Sequence, residues 1–384
     1  MQIFINALAA SAGGGLTYVR NVVPHFAASR VRAIFLVSPD LRQKLGAWRD
    51  VSILADYETV GAGRRFRYEQ RMIPKLIREN RADVLLSTGN FSVRRSPVPQ
   101  ILLSRNALYT SRHFSHDLRR RREYRAWIDT RIRAILARWS MNWADVTVAP
   151  SEAFAEELRR WTGKKVVSIH HGFDRNAFFG NHSPLPDQVS EKLTRAQGAI
   201  RILFVSHYNY YRNFETIFRA LPILKQALRD RPVRLFLTCQ LRSACNPGEY
   251  RAEAAAALVH HLGVDEEVVE LGTIPYDLLH HLYAACDLYV SAAYAETFAH
   301  PLVEAMASGL PVVASDLPVH REICRDAALY FTPFSPEDLA KAAIEVINSA
   351  EQRHRMSARG LEQSGRFNWS KHVQELIALA ESIL

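Results

Sequence analysis

Two glutamates eight positions apart, Glu296 and Glu304, stand in the stretch AETFAHPLVEAMASGLPVVASD, residues 295–316. Carboxylates so placed can act as acid and base across one bond, grip one ligand at two points, or decorate a helix. Pro301 between them suits the first turn of a helix, where its missing N–H costs nothing. Gly309 and Pro311 then mark the end of that helix and the start of a strand. Residues 296–300 are therefore expected as a loop entering a helix, whose amides can hold a phosphate or a sugar hydroxyl. Glu296 would stand in the loop and Glu304 one turn inside the helix. Carboxylates that cleave a glycosidic bond must flank it, about 5 to 10 Å apart. Two on one segment suit separate holds on an elongated ligand better, although the positive helix end also favours Glu304 for purely structural reasons.

Three more loops carry residues able to do chemistry. VSHYNYYRNFETIFRAL, residues 205–221, places His207 five positions before Arg212. Arg212 brings a fixed charge and several donors for phosphate; His207 would be charged only if its pKa were raised. AASAGGGLTYVRNVV, residues 9–23, lacks G-x-G-x-x-G spacing and so points only weakly to a dinucleotide. Its glycines permit positive φ and close approach of a ligand, which makes Gly14 and Gly15 candidate phosphate or acceptor contacts, with a plain tight turn as the other reading. In ILLSRNALYTSRHFSHD, residues 101–117, Asn106 can bond a hydroxyl but cannot act as a base; Arg105, His113 and His116 lie near it in sequence.

Loops of this kind need a scaffold of strands. Continuous apolar runs alternate with helical patterns along the whole chain: QIFIN, RAIFLVS, DVLLST, PQILLS, DVTVAPS and KVVSIHHG, then IRILFVSH, VRLFLT, EVVELG, DLYVSA, PVVASD and AALYF. Such strands, buried on both faces and separated by helices, imply parallel α/β sheets, and a dozen of them suit two sheets better than one. The polar stretch FDRNAFFGNHSPLPDQVSEKLTRAQGA, residues 173–199, lacks a sustained apolar period and reads as the connection between two domains. With 384 residues and 48% apolar content, two cores are within reach.

Cys239, Cys245, Cys286 and Cys324 fit no zinc spacing and read as reduced residues of a cytosolic protein. No basic leader precedes the first apolar run, and no run approaches the roughly 20 residues that span a bilayer. A net charge of +10 calls for an anionic partner. Much of the excess lies near 117–139, where Tyr124, Trp127, Ile128, Ile132, Ile135, Leu136 and Trp139 recur at helical spacing. This basic amphipathic helix either packs on its domain through the apolar side or meets an anionic membrane surface. Without a zinc-finger spacing or an RNA-binding aromatic motif, nucleic acid is not expected as a partner.

Taken together, E-x7-E within ETFAHPLVEAMASGLPVVASD, the basic loop after IRILFVSH and the following SDLPVHREICRDAALYF resemble glycosyltransferase family 4, retaining enzymes of the GT-B fold. The resemblance implies two Rossmann-like doubly wound domains facing a cleft. Residues 1–175 would form the acceptor-side domain, 176–199 the connection and 200–367 the nucleotide-sugar domain, with the C-terminal helix 368–384 crossing back to the first. It further implies transfer of a sugar from a nucleotide diphosphate to an acceptor hydroxyl, with no metal and no cofactor beyond the donor. By motif position Glu296 would lie at the donor sugar and Glu304 at the nucleotide ribose. Thr297, Phe298, Ala299 and Pro301 would line sugar and phosphates, with His207 and Arg212 clamping the pyrophosphate and Asn106 at the place of a sugar-contacting His. Where the family has glycine, this chain has Ala299. A glycan or lipid-linked saccharide acceptor and a cytoplasmic location, peripheral at the inner face of a membrane, fit that reading. The alternatives are a weakly catalytic GT-B subunit that binds a glycan or partner, motivated by His207, Ala299 and Asn106, and another GT-B activity such as a nucleotide-sugar epimerase.

Overall fold

The structure, a computed structural model, describes the chain except residues 11–12, 49–50, 56–60 and 247–249. It divides into two compact units, Met1–Gly172 with Asn368–Leu384, and Phe173–Phe367.

The first unit is built on a parallel sheet of β1 (Gln2–Asn6), β2 (Arg32–Val37), β3 (Val51–Ala55), β4 (Val84–Ser87), β5 (Gln100–Leu103), β6 (Val146–Ala149) and β7 (Val166–Ser168). Their order is β3-β2-β1-β4-β5-β6-β7, with Ile3 paired to Ala33 on one side and Val84 on the other. Successive side chains of a strand point to opposite faces, so Ile3 and Ile5 enter one core while Phe4 enters another. Burial on both faces explains why these strands read as unbroken apolar runs. The edge strand β3 escaped the sequence reading because four of its five residues keep partial or full exposure.

The helix Trp369–Glu381 belongs to this unit, placing Trp369, Val373, Leu376 and Ala380 in the core beside Tyr18 and Val19. A Cβ on Gly172 would fall 2.2 Å from the Trp369 amide nitrogen. Only glycine therefore fits where the chain passes that helix.

In the second unit β8 (Ile200–Phe204), β9 (Val233–Leu237), β10 (Val268–Glu270), β11 (Leu288–Ser291), β12 (Val312–Ser315) and β13 (Ala328–Phe331) form a parallel sheet ordered β10-β9-β8-β11-β12-β13. The stretch 176–199, expected as a connection, folds inside this unit, with helices Arg175–Phe179 and Asp187–Arg195. Asp174 Oδ1 caps the first by accepting from the Ala177 amide at 3.0 Å, and the buried Phe178 ring packs on Phe173, Tyr276 and Tyr283. Sparse but large anchors replaced the sustained period that sequence reasoning looked for.

The expected basic helix at 117–139 is two helices, Arg112–Arg120 and Tyr124–Trp143, broken where Arg122 takes φ 59°. Of the two readings of its apolar side, packing inward fails for most of it. The longer helix buries the small residues Ala134, Ala137 and Ser140 with Met141, while Tyr124, Ile128, Ile132, Ile135 and Trp139 are each more than half exposed. Small side chains let the helix axis approach the domain closely and leave the large ones facing out. Among the described residues no helix is long and apolar enough to cross a membrane.

Candidate functional site

In open parallel sheets, ligands lie beyond the carboxyl ends of strands where the strand order reverses. In the second unit that point falls between β8 and β11, and the loops leaving those two strands carry Arg212 and Glu296. Local hydrogen bonds fix both. Ser206 N donates to Thr238 Oγ1 at 3.0 Å, at the end of β9. Asn209 caps a short 3-10 turn, Oδ1 accepting from the Arg212 amide at 3.1 Å, and Asn213 turns the chain through left-handed backbone at φ 56° into the helix Phe214–Ala227. Tyr294 N donates to Tyr211 O at 2.9 Å and ties the two loops together.

Across that tie Arg212 Nη1 donates to Glu296 Oε2 in an ion pair whose side chains are 19% and 11% exposed. Burial alone would raise the Glu296 pKa, but the Arg212 charge, His320 and the Thr297 amide hold it below the ordinary carboxylate value. For Arg212, burial works against the charge, and Glu296 more than restores it. Both groups are therefore ionised at neutral pH. The buried Arg212 Nε has no hydrogen-bond acceptor in the structure, so the guanidinium keeps a donor in reserve.

Glu304 stands in the helix His300–Ala307 and is 4% exposed. Burial pushes its carboxyl up to about 7, and Tyr283 Oη donates to its Oε2 at 2.9 Å. The two glutamates thus have separate electrostatics, one a fixed anion paired with a cation and the other a carboxyl poised near neutrality. Ala299, the residue before this helix, has φ 65° and ψ 60°. That left-handed backbone is the conformation a glycine takes without strain. Pro301 occupies the first turn after His300. The Phe298 ring is buried against Phe367 at 5.2 Å, so only its backbone can reach a ligand, and the Thr297 amide donates to Glu296 Oε1 at 3.0 Å.

His207 lies in the same loop as Arg212, but burial and then the Arg212 charge lower its pKa. It is a neutral imidazole at pH 7, not a second fixed cation. His320, which sequence reasoning missed, lies fully buried in the helix Pro318–Cys324; its Nδ1 donates to Ser315 O at 2.8 Å, and its Nε2 has no partner. Neither it nor Tyr283 carries a sequence signal, because each reaches its glutamate from another strand or helix.

The remaining candidates lie in the first unit: Gly14 and Gly15 follow β1, at the reversal between β1 and β4, and Asn106 follows β5, one strand further on. Gly14 and Gly15 are not a turn with positive φ: they open the helix Gly13–Ala27. A Cβ at Gly15 would come 3.2 Å from Ala10 Cα, whereas one at Gly14 meets nothing within 4 Å. Asn106 Oδ1 accepts from Leu108 N at 3.0 Å and caps a 3-10 turn. Its neighbour Arg105 is the cation at this edge, Nη2 donating to Thr88 O at 2.8 Å with the guanidinium 4.4 Å from the Tyr18 ring centre. Glu69, also missed, is buried beside Asn6 and Arg65, and burial pushes its carboxyl up to about 7.

Residues 12–177 match the family described as Glycosyltransferase Family 4, and residues 187–363 match glycosyl transferases group 1. The chain belongs to glycosyltransferase family 4. Among curated relatives of this family 4 chain, the serotype-specific mannosyltransferase WbdA of Escherichia coli is 37% identical over 220 residues, 54% of this chain and 26% of that protein. The chain thus spans about a quarter of that relative's length. Sucrose-phosphate synthase from Thermosynechococcus elongatus superposes with TM-score 0.76 at 16% identity, covering 100% of this chain and 98% of the other. Anabaena HepE in complex with UDP-glucose gives TM-score 0.72 at 18% identity, covering 100% of both chains. The fold is GT-B.

Proposed function

We propose that this family 4 chain is a retaining glycosyltransferase that moves a sugar from a nucleoside diphosphate to an acceptor hydroxyl without a metal. The observation that carries the reading is the buried Arg212–Glu296 pair at the strand reversal, with Glu304 one turn into the next helix. In the reaction the bond from the anomeric carbon to the diphosphate oxygen breaks, and a bond from the acceptor oxygen forms on the same face. The acceptor proton passes to the departing phosphate oxygen. Arg212, through its unpartnered Nε and remaining Nη donors, would stabilise the charge that develops on the diphosphate. Glu296, held ionised, would accept hydrogen bonds from the sugar hydroxyls. Glu304 would take the ribose hydroxyls in place of the Tyr283 hydroxyl. Thr297, Ala299 and the helix at Pro301 would supply backbone beside the sugar and phosphates, and His207 a neutral hydrogen bond.

The first unit would serve the acceptor, with Gly14, Gly15 and Asn106 along its edge. Relatives named as mannosyltransferases favour a mannosyl donor and a polysaccharide or glycolipid product. The basic helices at 112–143 favour a place at the inner face of an anionic membrane, where lipid-linked acceptors are met.

A thermal-shift panel of UDP-, GDP-, ADP- and dTDP-sugars tests the reading. One donor, at about 100 times its Kd, should add about 2.7 kcal/mol of stability. Proton NMR of the product, with and without chelator, then reads anomeric configuration and metal dependence. No shift with any donor would favour the non-catalytic subunit instead.

A further inference from the structure

The helix Tyr124–Trp143 presents two adjoining surfaces of opposite character. Its exposed apolar residues, Tyr124, Ile128, Ile132, Ile135 and Trp139, recur at spacings of three and four and so form one stripe. At about 1.5 Å per residue that stripe runs roughly 20 Å. Beside it, against the helix Arg112–Arg120, lies a cavity of about 250 Å³ whose wall includes Arg112, Arg119, Arg131, Trp127, Ser115 and Thr130. At 3.6 residues per turn, Arg131 falls between the cavity residues Trp127 and Ala134 and the stripe residues Ile128 and Ile135. A molecule with an anionic head and an apolar tail could meet both surfaces at once.

The charges of this region are already sorted. Asp117 pairs with Arg120 and Arg121, and Asp129 with Arg133. Among the described residues, no carboxylate lies within ion-pair distance of Arg112, Arg119 or Arg131. Trp127 Nε1 donates to Ser115 Oγ at 2.9 Å, which fixes the indole as one wall of the cavity. Volume sets the size of the guest: with a water taking about 30 Å³ of liquid, the cavity has room for a phosphate group and its waters.

We infer that the cavity between these two helices is a binding site for the phosphate headgroup of an anionic lipid, whose acyl chains lie along the exposed isoleucine stripe. The occupant is the lipid rather than a soluble phosphate, because a soluble anion would leave the apolar stripe uncovered. Large exposed apolar patches rimmed by charge mark interaction surfaces, and here the rim is basic. The inference rests on the membrane-surface part of the reading above and sharpens it from general attraction of a basic face to one defined headgroup site.

The experiment compares two double variants of equal charge in the whole chain. Arg119→Ala with Arg131→Ala empties the cavity wall; Arg125→Ala with Arg138→Ala removes two arginines of the long helix outside it. Each is titrated with vesicles of phosphatidylcholine alone and of phosphatidylcholine with phosphatidylglycerol. A headgroup site predicts that the first pair lowers partition onto the mixed vesicles roughly ten-fold more than the second, since diffuse attraction weights every nearby arginine alike. It also predicts that Ile132→Ser with Ile135→Ser weakens partition without changing lipid preference. Equal losses from the two arginine pairs would overturn the site while leaving a membrane-facing basic surface intact. Absence of wild-type binding to either vesicle would overturn both. Inorganic phosphate added without lipid is the third arm: protection of the wild type at millimolar phosphate, lost in the cavity pair, together with no preference among vesicles, would show a soluble-phosphate site instead. Unchanged melting of each variant controls for folding. A retained melting shift with the best nucleotide sugar separates loss of this site from failure of the transferase reading.

Discussion

At the reversal of each sheet lies a partly buried guanidinium, but the two units treat that charge differently. Arg212 in the second unit meets the carboxylate of Glu296. In the first unit Arg105 meets carbonyl oxygens and the Tyr18 ring, and burial pulls its pKa below the ordinary value. A buried ion pair is costly to break, because removing one partner strands the other. A guanidinium held by backbone carbonyls leaves no opposing charge behind when it is lost. The first arrangement keeps a cation charged and oriented by its partner; the second tethers loops through neutral acceptors.

The largest contrast is expected from removing the two arginines. Arg212→Ala should slow sugar transfer roughly 100-fold or more, as the loss of a preorganised donor does, and should cost about 3 to 5 kcal/mol of unfolding free energy by stranding Glu296. Arg105→Ala should cost only the hydrogen bonds, about 1 to 3 kcal/mol. Urea unfolding of both variants measures the difference; equal losses would show that the two arginines are held alike.

Next in size is a pH effect the two units share. Glu304 and Glu69 each rise from an ordinary 4.5 to about 7 through burial. Below about pH 4.5 both are protonated folded or unfolded, and their contribution is fully present. As pH rises towards about 7, the unfolded chain ionises first, so stability falls, by an amount on the order of 3 kcal/mol per group. Glu296 runs the opposite way: its depressed folded pKa gives stability above the ordinary value that is lost on acidification. Glu304→Gln and Glu69→Gln should each flatten the fall between pH 5 and 7, read by denaturant unfolding across pH. An unaltered slope in both variants would show that neither carboxyl is held protonated.

Smaller still is the expected effect of His207→Ala. Because His207 is neutral at pH 7, its loss removes a hydrogen bond and not a charge, and donor Kd should rise by less than about ten-fold. Calorimetry with the best donor checks this, and a loss as large as that of Arg212→Ala would restore His207 as a second cation. Smallest is Ala299→Gly, which relieves left-handed backbone and should add up to about 1 kcal/mol, visible as a rise in Tm. The matching change in the first unit, Gly14→Ala, places its Cβ in open space and should be close to neutral.

Much of the scaffold was legible because strands buried on both faces leave unbroken apolar runs, and because Pro301 and Gly309 punctuate a helix. The edge strand β3 was lost for the opposite reason, its partial exposure. Glu296, Glu304 and Arg212 could be picked out by residue type and spacing, but not their electrostatics. The reversal of strand order brings the loop after β8 beside the loop after β11, 84 positions apart, and that alone pairs Arg212 with Glu296. Tyr283, His320 and Glu69 stayed hidden because they act on partners from other elements. Likewise the period of the helix Tyr124–Trp143 could be counted, while the side facing water could not; close packing of Ala134 and Ala137 turned the isoleucines outward.

The sequence by itself determined the two-sheet architecture and the loop-and-helix setting of the two glutamates, since periodicity and turn chemistry are local. Only the tertiary structure decided which carboxylate is ionised, which is poised near neutrality and which histidine is neutral. Those depend on burial and on charges brought close by chain segments far apart in sequence.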